Sequence, residues 1–244
     1  MSSLALPTRH DEAYRYADIA ALTTLWPVAP QSLRVAAGES GSLSIVAAAS
    51  GNDVREIAVV LEEGARFDLR VLNAGAAYGR IGVTVDLGKG AQFDFGAAQF
   101  GAGEQTLEIV TQVNHFEPDA VSRQTVRSVL GGHATGTYLG KVHVARGAIG
   151  TDGSQSVRAM LLDRTATANA RPELEIYADD VKCAHGCAVG ELDAGGLFYL
   201  ESRGLAPADA KKLMLQAFIA EAFVSAPDEE ALTEAALNAL GAML

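Results

Sequence analysis

Short apolar runs dominate the chain from residue 32 to about residue 192. They are rich in Val, Ile, Leu and Phe, are broken by Gly or Asn about every eight to twelve residues, and show no helical period. This pattern is typical of a mainly β region built from many short strands. The strands that it predicts most clearly are 54–61, 65–73, 80–87, 91–100, 106–115, 123–130 and 135–144.

One segment of the sequence occurs twice. Residues 61–69 (LEEGARFDL) recur 26 residues later as 87–95 (LGKGAQFDF), and Gly38 lies 26 residues before Gly64. A period of this length is typical of a solenoid, in which each coil buries its apolar side on the next coil. The repeat predicts a β-helix or a related stacked-strand solenoid. Two similar hairpins of a β-sandwich are the alternative interpretation.

Helical patterns occupy the two ends of the chain. At the start, an amphipathic pattern predicts a helix over 11–25, followed by an extended link that contains Pro27 and Pro30. After residue 193 the sequence predicts a short helix around Leu197 that ends at Gly204, a helix from Pro207 to Val224, and a helix over 228–243. We therefore divide the chain into a helical and extended cap (1–30), a β-helix core (31–192) and a C-terminal helical region (193–244).

The helix that begins at Pro207 is apolar on nearly every side. Between Leu213 and Val224, only Gln216 and Glu221 are polar. A helix with this composition has to be buried all round. Because a solenoid offers it a single flank, we expect its other side to be covered by a partner subunit or by neighbouring helices of the same chain.

Composition and charge narrow the functional classes. The chain has 244 residues, 49% of them hydrophobic, which is enough for a sizeable core without disulfides. Its two cysteines lie too close in sequence to close a stabilising loop, so we expect free thiols in a reducing compartment. The net charge of −11 disfavours nucleic acid and anionic membranes as partners. With no signal peptide and no membrane-spanning run, the sequence predicts a cytoplasmic protein.

The side chains with the most reactive chemistry are concentrated at 183–187. Apolar and polar residues alternate over 173–179, as in a strand with one buried face. If this conformation continues, Cys183, His185 and Cys187 point to the same side. A helix would bring the two cysteines together but turn His185 to the far side, and Gly186 also disfavours a helix here.

The donor atoms of this segment limit what it can bind. Imidazole nitrogen and thiolate sulfur suit iron, iron–sulfur clusters, zinc or copper. A closed site needs four ligands, so a partner or inorganic sulfide would have to supply the remainder. The alternative is structural: Cys183 would be a small buried hydrophobic residue, and His185 a hydrogen-bonded core residue.

Other motifs give weaker alternatives. Residues 136–142 (GTYLGKV) resemble a phosphate-binding loop, but the glycine spacing is wrong and no Ser or Thr follows Lys141, so we do not expect ATP hydrolysis. The acidic residues of 173–180 suggest the carboxylate pair of a carbohydrate-active β-helix enzyme. Strand alternation instead predicts a solvated acidic edge. A zinc-binding β protein is a third hypothesis, and it predicts stoichiometric zinc in the isolated chain.

Six segments of the second half of the chain carry a resemblance to known proteins. They are VNHFEPD (113–119), SRQTVR (122–127), LGKVHVAR (139–146), TDGSQ (151–155), PELEIYADDVKCAHG (172–186) and LFYLESRG (197–204). In this order and spacing they resemble the SufB/SufD family of iron–sulfur cluster assembly subunits, and the SufD branch in particular. The most specific of them contains Cys183 and His185.

The resemblance implies a fold and a set of partners. It implies a right-handed parallel β-helix with a C-terminal helical region that acts as a non-catalytic scaffold subunit in iron–sulfur cluster assembly. Such a subunit pairs through its β-helix with a SufB-like subunit, or with a second copy of itself when alone. Its C-terminal helices, here Pro207 to Val224, dock on a SufC-like ABC ATPase.

The resemblance also implies a site. His185 would be the more important ligand, and Cys183 a supporting one, for iron or a transient iron–sulfur cluster at the subunit interface. The isolated chain would hold no cluster stably. Cys187 stands where the family usually has a small residue without a thiol, so no metal role is carried over to it. The family's N-terminal helical segment is longer than the one seen here.

Overall fold

The structure is a computed structural model that describes residues 5–48 and 50–244, so residues 1–4 of the predicted cap lie outside it. The strands are β1 Gln31–Val35, β2 Ser40–Ala47, β3 Asn52–Leu61, β4 Arg66–Ala74, β5 Tyr78–Leu87, β6 Gln92–Gly101, β7 Thr106–His115, β8 Val121–Leu130, β9 Thr135–Val144, β10 Asp152–Leu161, β11 Thr167–Ile176 and β12 Lys182–Glu191. The helices are a 3₁₀ turn Glu12–Tyr14, α1 Ile19–Thr23, α2 Ala194–Ser202, α3 Pro207–Ala220 and α4 Glu229–Met243.

Each strand pairs in parallel with the strands two places away in the chain. Among the described residues, the odd-numbered strands form one six-stranded sheet, called sheet A here, and the even-numbered strands form a second, sheet B. The chain therefore alternates between the sheets, and each pair of consecutive strands makes one coil of a β-solenoid with about six coils. The prediction of a mainly β solenoid with a C-terminal helical region is confirmed.

The space between the two sheets is the main hydrophobic core. Phe67 of β4 and Phe93 of β6 are register partners in adjacent coils, and they are 6% and 1% exposed. This confirms the interpretation of the repeat as stacked coils. The seven strands predicted from the sequence are all present, with ends that differ by no more than two residues.

A turn at one edge of the solenoid explains the repeat and its disappearance. Gly38, Gly64 and Gly90 have φ angles of +72°, +67° and +64°, which favour glycine, and they occupy the same turn in successive coils. Asp119 and Asp180 adopt the same left-handed conformation in later coils. The coils up to Gly90 share one length, whereas the later coils are longer and differ in length from one another, so they show no fixed sequence period.

The C-terminal helices pack against the outer face of sheet B. Leu215 and Ile219 of α3 and Leu232, Ala236 and Leu240 of α4 are buried against the outward-facing apolar side chains of β4, β6 and β8, which are Leu72, Ala74, Ala98, Phe100 and Val129. Helix α2 ends at Ser202, and Gly204 closes it as predicted: the N–H of Gly204 donates to the carbonyl of Glu201 and the N–H of Leu205 donates to the carbonyl of Leu200.

One face of helix α3 packs on sheet B and the other is exposed, with Leu213 at 46%, so the expected cover by a partner stays a prediction. The predicted end of the Pro207 helix is wrong, because α3 ends at Ala220 rather than at Val224. The early end has a physical reason. Arg70 donates to the carbonyl oxygen of Ala222 at 3.1 Å, and buried Arg127 binds the carboxylate of Glu221, so sheet B holds the chain in turns at this point.

The single helix predicted over 11–25 is also wrong. The structure has the short 3₁₀ turn and α1 instead, because Asp18 starts a new helix by accepting a hydrogen bond from the N–H of Ala21. Tyr14 is the last residue of the 3₁₀ turn, and the guanidinium carbon of Arg80 lies over its ring, 4.1 Å from the centroid. Glu12 pairs with Arg171 at 2.9 Å. The segment therefore crosses the outer face of sheet A.

No helix in the described part of the chain is long and apolar enough to cross a membrane. The division of the chain into parts at residues 30 and 192 stays a prediction.

Candidate functional site

The site lies at the end of the solenoid formed by the last coil. Strand β12 hydrogen-bonds to β10 on one side, and in the described residues no further strand covers its other side. Most residues of β12 are therefore exposed, whereas alternate residues of β10 are buried. The end of the core is open where the sequence concentrates its reactive side chains.

Register places the candidate ligands on the inner face of sheet B. Cys183 pairs with Gly153, His185 with Gln155 and Cys187 with Val157. These three residues of β10 are buried between the sheets, and side chains of register partners point to the same face. Cys183, His185 and Cys187 thus form one row across the open end, with about 7 Å between successive Cα atoms.

Cys183 is the most buried of the three. It packs beside Val142 and Leu174, and it has room there because its register partner is glycine. Burial raises the pKa of its thiol above the usual value, opposed by a hydrogen bond from the backbone of Gly153. At neutral pH the sulfur is protonated, so a bound metal would have to displace the proton.

The side chain of His185 is exposed and makes no hydrogen bond or ion pair with other described residues. Cys187 is also exposed, with its sulfur 4.0 Å from the carbonyl oxygen of Ala170, and partial burial raises the pKa of its thiol. His185 is therefore the one side-chain nitrogen donor of the row, and it is accessible to a ligand.

The row does not make a closed metal site by itself. Among the described residues, no group of three or more His, Cys, Asp or Glu side chains is close enough to hold a metal ion. One imidazole and one or two thiols spaced along a strand can supply part of a coordination sphere, and a molecule docked on the open end would have to supply the rest.

Sequence reasoning missed a polar network inside the last coils. Gln124, Tyr138 and Gln155 are buried between the sheets, where Gln155 Nε2 donates to Tyr138 Oη at 3.1 Å and Tyr138 Oη donates to Gln124 Oε1 at 3.2 Å. His115 Nε2 and Ser122 Oγ lie 2.9 Å apart nearby. Both groups sit directly beneath the row of candidate ligands.

A sequence signal for this network exists but requires the length of the late coils. Gln124, Gln155 and His185 are register partners in successive coils, and these coils are longer than the early ones. A search at the spacing of the early coils cannot find them. The alternating pattern of β8 and β10, which places a glutamine on the inner face of each strand, is the signal that would identify these register partners.

The other motifs are accounted for by structure. Glu175 pairs with Lys141 at 2.8 Å, and Glu173 pairs with Arg171, on the outer face of sheet A. These acidic residues are thus partners of basic ones along a solvated edge. Residues 136–142 lie within strand β9, so they form no phosphate-binding loop.

Comparison with known proteins identifies the family of the chain. The family model described as SUF system FeS cluster assembly, SufBD core domain, matches residues 32–218. The iron–sulfur cluster assembly protein SufD of Escherichia coli (strain K12) is 37% identical over 134 residues, which cover 55% of this chain and 31% of SufD. Protein ABCI7 of Arabidopsis thaliana, described as chloroplastic, is 32% identical over 172 residues, covering 69% of this chain and 36% of ABCI7.

A third relative is the SufD of Bacillus subtilis (strain 168), 31% identical over 142 residues, which cover 58% of this chain and 32% of that protein. The chain thus spans about a third of the length of these curated relatives. The family model includes nearly the whole solenoid, helix α2 and most of helix α3, and it ends before α4. The chain therefore belongs to the SufBD family of the SUF system for iron–sulfur cluster assembly, and within that family it is most similar to SufD.

Proposed function

We propose that the chain is a non-catalytic scaffold subunit that presents His185, with support from Cys183, to iron or a nascent iron–sulfur cluster at the interface with a SufB-like partner. The observation that carries the proposal is the row of Cys183 and His185 on a terminal strand that nothing in the described residues covers. The cluster is cargo of the complex, so the isolated chain need not retain it.

The open end also suggests how the partner binds. The free edge of β12 carries unpaired backbone N–H and C=O groups, and its inner face exposes Val189 at 47%. An exposed edge of this kind favours pairing with a strand from another chain. The partner would cover the end of the core, exclude water from the row and complete the coordination with its own thiolate or carboxylate. A second copy of this chain would occupy the same edge when the SufB-like partner is absent.

Ligand chemistry favours His185 over the thiols. Neutral imidazole is a weaker electron donor than thiolate, so it would hold a cluster loosely enough for transfer to an acceptor. Burial keeps Cys183 protonated at neutral pH. Its thiol has to lose this proton before it can bind, so we expect Cys183 to bind after His185 and more weakly. Cys183 would then act mainly by fixing the cluster against the inner face beside His185.

The test is anaerobic co-expression of the chain with its SufB-like and SufC-like partners, followed by iron and sulfide analysis of the purified complex. We expect His185→Ala to lower iron and sulfide about 10-fold or more without dissociating the subunits, because it removes a ligand and leaves the edge of β12 intact. Cys187→Ala on the same row is the matched control and should change iron content less than twofold. A His185→Ala complex with unchanged iron and sulfide would disprove the proposed role.

The helical region is proposed to dock the ATPase. Helix α2 packs on α3, and their outer surface exposes Phe198 at 73%, Tyr199 at 61% and Leu213. Phe218, in contrast, is partly buried among the side chains that contact sheet B, and its ring lies 5.9 Å from the guanidinium carbon of Arg127. The docking surface is therefore the outward side of α2 and α3, and substitutions at Phe218 would disturb the fold as well.

Phe198→Asp should abolish retention of the ATPase, because a carboxylate in an apolar contact loses its hydration without gaining a partner. Pull-down by tagged chain, with thermal unfolding as the check on folding, measures this. Phe116→Asp is the matched control, because Phe116 is likewise apolar and exposed but lies in the turn after β7. Retention of the ATPase by a folded Phe198→Asp variant would show that the ATPase does not dock on the outward side of α2 and α3.

A further inference from the structure

Of the three side chains in the row at the open end, His185 alone has a polar register partner. Cys183 lies beside Gly153 and Cys187 beside Val157, neither of which can hydrogen-bond through its side chain. His185 lies beside Gln155, whose strand is about 4.8 Å away. In the structure the imidazole of His185 is exposed and makes no hydrogen bond, but at this strand separation a change of its rotamer can bring a ring N–H within hydrogen-bonding reach of Gln155.

Gln155 is only 3% exposed, and its carbonyl oxygen Oε1 has no hydrogen-bond partner among the described residues. A buried amide oxygen without a partner is unfavourable, so a donor for this acceptor is expected. The register partners of Gln155 on the inner face are Gln124 in β8 and His185 in β12. A carbonyl oxygen has two lone pairs, so it can accept from the Gln124 amide and from an imidazole N–H together.

The network beneath fixes which end of the Gln155 amide is free. Thr111 Oγ1 donates to Gln124 Oε1 at 2.7 Å, and Tyr138 Oη donates to the same oxygen at 3.2 Å. The oxygen of Tyr138 is therefore left to accept, and Gln155 donates its amide N–H to it. Because the amide nitrogen of Gln155 donates to Tyr138, the Oε1 atom of Gln155 lies on the side of the amide away from this hydroxyl.

We propose that Gln155 is a positioning residue for His185: its Oε1 accepts a hydrogen bond from one ring N–H of His185 and leaves the other ring nitrogen unprotonated as the ligand. A neutral imidazole carries one N–H, so holding that proton on one nitrogen presents the other as a donor to iron. Partners of this kind set the tautomer and orientation of metal-binding histidines. The inference rests on the proposed role of His185 and adds the residue that selects its donor atom.

The first measurement uses the full chain without metal. Histidine labelled with ¹⁵N reports the tautomer through its ring-nitrogen chemical shifts, and the difference from His185→Ala assigns the signals. We expect wild-type His185 to show one neutral tautomer, and Gln155→Met to show the averaged shifts of two exchanging tautomers. Averaged shifts in the wild-type chain would overturn the inference.

The second measurement uses the anaerobic complex with Fe²⁺ as the probe. Gln155→Met should weaken iron binding about 10- to 100-fold, the usual effect of removing such a partner. Gln155→Glu should restore it to within about threefold, because a carboxylate also accepts from the ring N–H. An equal loss in Gln155→Glu and Gln155→Met would show that Gln155 acts through packing alone.

Gln124→Met is the matched control, since Gln124 belongs to the same buried network one coil further from His185. It should leave both the tautomer and the iron affinity of His185 as in the wild type, even if it lowers the melting temperature as much as Gln155→Met does. The two proposals can fail separately. If His185→Ala does not change the iron content, the ligand role is lost, while the ring-nitrogen shifts still decide whether Gln155 holds His185.

Discussion

The inner faces of the early and late coils follow the same register but are filled by different chemistry. In β4 and β6 the inward side chains include Phe67, Leu69, Phe93 and Phe95, and they form the apolar core. In β8, β10 and β12 the same columns continue as polar or small residues, which are Ser122, Gly153, Cys183, Gln124, Gln155 and His185. Backbone pairing therefore fixes the architecture. The side chains at equivalent register positions decide which coils stabilise the fold and which carry the candidate ligands.

This difference coincides with exposure. Phe93 lies in the middle of sheet B with paired strands on both sides, whereas His185 lies on its last strand. A solenoid buries each coil on its neighbours, so the terminal coil has one unsatisfied side unless another molecule covers it. A row of candidate ligands placed there costs the fold little, and most of it stays exposed.

The largest difference between the two regions should appear in stability. Phe93→Ala removes a buried ring from the apolar columns and should lower the free energy of unfolding by about 3 to 5 kcal/mol. Val189→Ala on the exposed inner face of β12 should change it by about 0.5 kcal/mol or less. Urea denaturation of the isolated chain measures both. Similar losses for the two variants would contradict the division into a stabilising and a binding region.

A second difference should appear in the response to acid. His115 is buried in the late coils, and burial lowers the pKa of its imidazole to about 4, with a smaller opposing effect from the nearby backbone of Ala120. Nearby His143 lowers this pKa further, and Asp152 raises it. The unfolded chain takes up the proton near pH 6.5, so between about pH 6.5 and pH 4 it binds more protons than the folded chain. Stability is therefore lost as the pH falls through this window.

The loss assigned to His115 is about 3 kcal/mol between pH 7 and pH 4, obtained from the pKa difference at about 1.4 kcal/mol per unit. His115→Gln keeps a hydrogen-bonding group near Ser122 but does not titrate, so its stability should fall by about 3 kcal/mol less than that of the wild type. Glu56 and Asp94, whose pKa values are raised by burial, contribute equally to both proteins. Parallel curves for wild type and His115→Gln would show that the imidazole is protonated at its usual pH in the fold.

The sequence was sufficient to predict the coils because local chemistry repeats in them. Gly64 and Gly90 satisfy the same left-handed turn, and Phe67 and Phe93 fill the same column, so the repeat is visible at a fixed spacing. The candidate ligands Cys183 and His185 were identified by the alternation of a strand and by a specific family segment. Their placement on one face follows from the two-residue period of any strand.

The parts that could not be predicted depend on contacts between distant segments. The helix expected over 11–25 is interrupted because the ring of Tyr14 packs against the guanidinium of Arg80. Helix α3 ends early because Arg70 and Arg127 of sheet B bind the residues that follow it. Gln155 was overlooked because its relation to His185 appears only when the length of the last coil is known. These interactions are set by tertiary packing, which overrides the local pattern.

The central claim is that His185 binds iron at the covered end of the solenoid. The most direct measurement is an anaerobic crystal structure of the chain in complex with the proposed SufB-like and SufC-like partners, with diffraction data collected at the iron absorption edge. We predict an anomalous peak within bonding distance of a ring nitrogen of His185, between β12 and the partner. An iron-loaded complex whose anomalous peaks all lie away from His185 would contradict the account.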